Sequence, residues 1–211
     1  MNEAAPLERL RVEITPSHIT GLMAVVISAY FLITHSNDLS IVAASIYFTL
    51  ACTTDTLKSK IPNLLNACLL LAGIALSTLT LGLHGFLMSL AGLALGIGLL
   101  ILPYLMGGMG AGDVKALGAL GALIGPYDLL QVFVYTGLYG GGLALLHYLF
   151  KTGFKNAFHK GWLSIRLLVL ARDAHLLVPA KESSGKNSMR FPYATAIAFG
   201  YYSFQYWGAV L

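Results

Sequence analysis

Two aspartates stand out in a chain of 211 residues of which only 10% are charged. Asp113 sits in the run GGMGAGDVK at 107–115, and Asp55 in the run TTDTLKSKIPNLL at 53–65. Two carboxylates held close together cannot both ionise comfortably, so such a pair shares one proton. The ionised member can take a proton from water while the protonated member polarises a peptide carbonyl. That chemistry hydrolyses a peptide bond without a cofactor or a metal, and neither is expected. No rival catalytic motif is present: GxSxG, HExxH and a Walker loop are all absent. His18, His35, His84, His147, His159 and His175 are scattered without metal-ligand spacing.

Each aspartate also has a plain structural reading. Asp113 can cap a helix that follows a glycine loop, because a carboxylate accepts backbone N–H bonds and complements the positive helix end. Asp55 can be an interfacial charge balanced by Lys58 or Lys60. Taken one at a time, the structural and functional readings both stand. The glycines tilt the balance. Gly107, Gly108, Gly110 and Gly112 strip side chains from the backbone beside Asp113, permit positive φ and let another extended chain approach. A site of that kind suits a peptide substrate. Lys115, two residues from Asp113, lies off its helical face and is expected to snorkel to a membrane interface.

The elements that must position these residues are set by hydrophobicity. The chain is 57% hydrophobic with a mean hydropathy of +0.75, outside the balance of a soluble domain. The expected fold is all-α, a polytopic membrane helical bundle with about seven transmembrane helices and one amphipathic cytoplasmic segment. The apolar runs place helices near 18–35, 39–54, 63–82, 85–105, 113–125, 128–150 and 191–211. A single domain over 1–211 is expected: a cytoplasmic start at 1–17, an extra helix at 18–35, a six-helix core from 39–150 and 191–211, and a cytoplasmic connection at 151–190. The polar start at 1–17 and the lack of a small-x-small site after the first apolar run read as an uncleaved first helix.

If the amino terminus is cytoplasmic, every basic residue falls on one side. Arg9 and Arg11 precede the first helix, Lys58 and Lys60 follow the second, and Lys115 opens the fifth. Lys151, Lys155, Lys160, Arg166, Arg172, Lys181, Lys186 and Arg190 fill the last connection, while the opposite connections near 36–38, 83–84 and 126–127 have none. This is the positive-inside pattern, so the net charge of +4 reports topology and no nucleic-acid partner is expected. The stretch WLSIRLLVLARDAHLL at 162–177 suits a helix lying against membrane lipids. Cys52 and Cys68 have no CxxC spacing and read as small core residues. The pairs Gly92 and Gly96, Gly121 and Gly125, and Gly137 and Gly141 read as close-packing devices. Because chain direction alternates at each crossing, Asp55 and Asp113 then share the cytoplasmic face. A charged carboxylate deeper in the bilayer would cost on the order of 2.5–3.5 kcal/mol or more, so intramembrane or near-membrane ionisable groups are functional candidates by default.

These residues resemble a known family. Gly110-Ala111-Gly112-Asp113 matches the GxGD signature of intramembrane aspartyl proteases, in the GDVK form common among type IV prepilin and preflagellin peptidases. Asp55, a basic stretch, and then Ile61-Pro62-Asn63 are similar to the D…IPN pattern around that family's first catalytic aspartate. Arg190-Phe191-Pro192-Tyr193-Ala194 is similar to its PY-containing final helix. The resemblance covers roughly 39–200 and implies a leader peptidase with Asp55 and Asp113 as the catalytic pair. Its substrate would be a prepilin, pseudopilin or preflagellin-like precursor, cut at a short basic leader on the cytoplasmic side of a prokaryotic cytoplasmic membrane. Gly110, Gly112, Ile61, Pro62 and Asn63 carry over as motif residues that support the pair. The cysteine-rich domain tied to methylation in longer bacterial members has no counterpart, so the chain resembles a short form. Presenilin and signal peptide peptidase share GxGD but carry a YD pair and PAL, where this chain has Thr54-Asp55 and Pro192-Tyr193-Ala194. From the residues alone, Pro62 also fixes a helix entry and Asn63 can cap that helix. An ion-coupled transporter, with the aspartates as proton or cation sites, and a non-catalytic secretion or pilus assembly protein are the alternative readings.

Overall fold

The computed structural model describes residues 16–58, 60–106, 109–152 and 193–209. Those residues form six helices and no strand: α1 Pro16–Thr34, α2 Leu39–Lys58, α3 Asn63–Leu105, α4 Ala111–Ile124, α5 Pro126–Thr152 and α6 Tyr193–Trp207. The amphipathic connection expected at 151–190, the amino-terminal arginines, Gly107, Gly108 and the Arg190–Pro192 part of the final motif lie outside the described residues or nearly so.

Two of the expected helices, 63–82 and 85–105, are joined in α3. A straight helix of its 43 residues would run to about 65 Å, twice the thickness of a hydrocarbon core. The element is not straight. Gly82 has φ 60° and ψ −140°, a conformation that only glycine adopts readily. The arms fold back on each other there, so that a Cβ on Gly85 would run into the Ser77 carbonyl, eight residues earlier. Among the described residues, two helices, Leu39–Lys58 and Asn63–Leu105, are long and apolar enough to cross a membrane. Leucines such as Leu64, Leu71, Leu79 and Leu83 project outward from α3 with most of their surface exposed, as a lipid-facing helix requires. The expected count of seven crossings goes beyond this.

Helix α4 is the centre of the molecule. Every residue from Ala116 to Leu123 is buried, so this helix is apolar all round. Its alanines and glycines let α3 grip it from both arms. A Cβ on Gly73 would lie 2.7 Å from the Leu123 nitrogen, and one on Gly96 would lie 2.6 Å from the Leu117 carbonyl. Gly92 and Gly121 meet backbone to backbone, each in the space the other's side chain would need. Ser89 Oγ donates to the Ala122 carbonyl at 2.7 Å, which adds a polar tie to the seam. Gly125, with φ 84°, then ends α4, and Pro126 begins α5, the usual division of labour between the two residues. Gly125 is thus a turn residue. Gly137 and Gly141, expected to be packing devices, have nothing among the described residues within reach of a Cβ.

The remaining helices close around this centre. Helix α6 presses on α5 where Gly200 meets Thr136 and the Val132 carbonyl. Helix α1 lies along α2 and reaches α6, with the Phe31 and Tyr202 rings 4.7 Å apart. At its other end Gly21 of α1 seats directly on Thr56 of α2.

Candidate functional site

One end of the bundle collects the residues that sequence reasoning selected. Asp55 lies in the last turn of α2 and Asp113 in the first turn of α4, and they are only 8% and 9% exposed. Asp113 begins as the capping reading requires. Its Oδ2 accepts a hydrogen bond from the Gly110 N–H at 3.1 Å, and its own N–H donates to the Gly110 carbonyl at 3.1 Å. This is half of a capping box, closed by a residue with no side chain of its own. The carboxylate is therefore oriented by the helix it opens.

Asp55 is placed against the grain of its helix. A carboxylate near a helix C-terminus faces the negative end of the dipole. It is held instead by α6, whose first turn offers the Ala194 N–H to the carboxylate. That donor lies at the positive end of α6, where anions are favoured. Asp55 Oδ2 is buried with no hydrogen-bond partner. Lys58 and Lys60, the balancing charges considered above, are exposed, and among the described residues neither pairs with Asp55.

The IPN residues join the two halves. Ile61 is 9% exposed and packs against Gly112, whose added Cβ would sit 3.5 Å from the Ile61 Cβ. Pro62, with φ −61° and ψ 133°, occupies the position just before α3 and sets the entry of the helix. Asn63 makes no cap bond. Its Oδ1 instead accepts from Lys115 Nζ at 3.0 Å, so Lys115 ties the start of α4 to the start of α3. A snorkelling lysine was expected there; the residue is exposed, yet it has a fixed partner. In the described part of the glycine loop, Gly110 has φ −85°, and among the described residues the positive-φ glycines are Gly82, Gly125 and Gly208. Gly110 and Gly112 therefore make no unusual turn, and Gly112 lies against Ile61.

Sequence reasoning missed three residues. Tyr47 is buried on α2, two turns before Asp55 and on the same face, and the charges of both Asp55 and Asp113 reach it. Its hydroxyl donates to Asn66 Oδ1 at 2.6 Å, and Asn66 Nδ2 donates to the Gly112 carbonyl at 3.2 Å. Asn66 was legible as an amide inside the apolar run NLLNACLLLAG, since a polar group in such a run needs a buried partner. The third is Ala194, which acts through its backbone and so leaves no side-chain signal. Tyr193 beside it is half-buried, feels the charge of Asp113 and packs near Gly140. Tyr193 and Ala194 thus touch both halves of the site.

Among the described residues, no group of three or more His, Cys, Asp or Glu side chains is arranged to hold a metal ion. The site's chemical resources are two buried carboxylates, a tyrosine hydroxyl, an asparagine amide and open glycine backbone. In comparison with known proteins, residues 41–145 match the type IV leader peptidase family. That span includes Asp55, 61–63, 110–113, Tyr47 and Asn66. No curated protein and no solved structure matches the chain.

Proposed function

The chain belongs to the type IV leader peptidase family, and from that premise we propose that it is an aspartyl endopeptidase of the GxGD type. It removes the short basic leader of a prepilin-like precursor at the cytoplasmic face of a prokaryotic membrane. The observation that carries this reading is the pair of buried carboxylates, Asp55 and Asp113, brought to one end of the bundle by different helices.

The chemistry follows from the surroundings. One carboxylate, ionised, takes a proton from a water molecule as that water attacks the scissile carbonyl carbon. The other, protonated, donates to the carbonyl oxygen, and a tetrahedral intermediate forms. The first carboxylate then gives its proton to the leaving nitrogen while the second takes one back from a hydroxyl of the intermediate, so the C–N bond breaks, the carboxylic acid forms and the pair again holds one proton. Asp113, oriented by Gly110, and Asp55, held by the first turn of α6, keep their positions through the cycle, which is where most of the rate gain of such a site lies. An extended substrate passes beside Gly110 and Gly112, which bring no side chain of their own. Lys58, Lys60 and Lys115 lie at the same end, in keeping with a multi-pass topology whose amino terminus and site face the cytoplasm.

Co-expression with a type IV prepilin-like precursor tests the reading. The expected result is a product shorter by the length of the leader, appearing only when this chain is present. A precursor that stays full length, with both proteins in the same membrane, would overturn it.

A further inference from the structure

The two carboxylates lie on helices that touch each other little, so something must set their separation. We propose that Tyr47 and Asn66 form a positioning chain that fixes the start of α4, and with it Asp113, relative to the end of α2, and with it Asp55. This rests on the reading of Asp55 and Asp113 as a catalytic pair.

The chain has two links and crosses three helices. Tyr47 on α2 donates to Asn66 Oδ1 at 2.6 Å, and Asn66 on α3 donates through Nδ2 to the Gly112 carbonyl at 3.2 Å. That carbonyl belongs to the peptide unit that leads into Asp113. Tyr47, at the other end, lies two turns from Asp55 on one helix face. Both side chains are buried, at 4% and 5% exposure, so water does not compete for these bonds. The amide orientation is dictated by its partners. A backbone carbonyl can only accept, so the NH2 group faces Gly112 and the oxygen faces the tyrosine hydroxyl. Neither side chain can be replaced by an apolar residue of similar shape without orphaning a buried polar atom of the other.

Ile61 against Gly112 and Lys115 with Asn63 anchor the same loop from α3. The Tyr47–Asn66 chain continues from there to α2. Its loss therefore leaves the helices folded while freeing the two carboxylates to drift. Misplacement of a reacting group by about 1 Å can cost on the order of a hundredfold in rate. Substrate binding, made elsewhere along the extended peptide, is not expected to change.

The test uses the full chain, purified, with cleavage of a prepilin-like precursor followed at varied concentration. Tyr47→Phe keeps the ring that packs 5.3 Å from Phe48 and removes only the hydroxyl. It is expected to lower kcat about tenfold with KM within about twofold, and Asn66→Leu to lower kcat about a hundredfold. The double variant should match Asn66→Leu alone, because one chain cannot be broken twice. Leu69→Ala, a buried packing change one turn further along α3, should lower Tm yet keep kcat. A second readout does not depend on activity: spin labels at the exposed positions Leu57 and Ala111 report the distance between the two helix ends. That distribution should be narrow in the parent and broaden in Tyr47→Phe and Asn66→Leu, but not in Leu69→Ala. Should Asn66→Leu fail to fold, Tyr47→Phe carries both readouts. Unchanged kcat and an unchanged distance distribution in folded Tyr47→Phe would overturn the proposal. If the parent protein cleaves no precursor, the catalytic reading falls and the distance measurement alone decides whether the chain sets the separation.

Discussion

Asp38 and Asp55 flank the same helix, α2, and meet opposite surroundings. Asp38 precedes its first turn, exposed, with Oδ1 accepting from the Ser40 and Ile41 N–H groups at 2.9 and 3.3 Å. It does what a carboxylate at a helix N-terminus is expected to do, and it adds stability. Asp55 lies in the last turn, buried, at the end where a negative charge is disfavoured, with one oxygen unpartnered. Nothing about α2 itself explains why Asp55 is there; Asn or Ser would fold as well. A carboxylate at the disfavoured helix end, held by a neighbouring helix through Ala194, is what the proposed catalytic role asks for.

The same contrast separates the two kinds of glycine. Gly73, Gly92, Gly96 and Gly121 seal α3 onto α4 and leave no room for a Cβ. Gly112 has room for one at ordinary contact distance from Ile61, so the fold alone does not demand glycine there.

The largest effect is expected where the fold itself is attacked. Gly121→Val drives a branched side chain into the Gly92 carbonyl, and the folded protein should be lost on size-exclusion chromatography, whereas Gly112→Ala should be recovered in parental yield. Next comes the floor of the site. Gly21→Val pushes on Thr56 and so on the turn that carries Asp55, and kcat should fall on the order of tenfold or more while the protein stays folded. Retained kcat would separate α1 from the catalytic turn. The shared proton should show in the pH dependence: cleavage rises and then falls, each limb with a slope near one, as the pair passes from two protons to one to none. A rate that stays level from acid to strongly alkaline pH would contradict a shared proton. The smallest effects compare the two ends of α2. Asp38→Ala should lower stability by about 1 kcal/mol with cleavage intact. Asp55→Asn should raise it by a similar amount, on the order of 1 kcal/mol, through loss of a charge at the wrong helix end.

Much of this arrangement was legible in advance, for physical reasons. Apolar length located the helices to within a few residues, because burial and lipid exposure both select long apolar runs. The site residues announced themselves as carboxylates and bare backbone in an apolar chain. Less visible were features that depend on three-dimensional contact. The break in α3 was expected near 83–84; what the apolar pattern did not show is that a single dihedral pair, at Gly82, carries it. Gly110 and Gly112 were read as permitting positive φ and as letting an extended chain approach; neither has a positive φ. Ala194 contributes an N–H that every residue but proline possesses. Asn63 was read as a cap; it is the partner of Lys115, 52 residues away, which no local pattern encodes.

The measurement closest to the central claim is cleavage of a prepilin-like precursor by purified Asp55→Asn and Asp113→Asn proteins, each checked for folding. Both substitutions keep size and shape and remove only the capacity to exchange a proton. General acid and base contributions are each worth on the order of a hundredfold to ten-thousandfold, so each variant should fall below detection over many parental turnovers. Full processing by either folded variant would remove that aspartate from the mechanism and with it the account of a carboxylate pair.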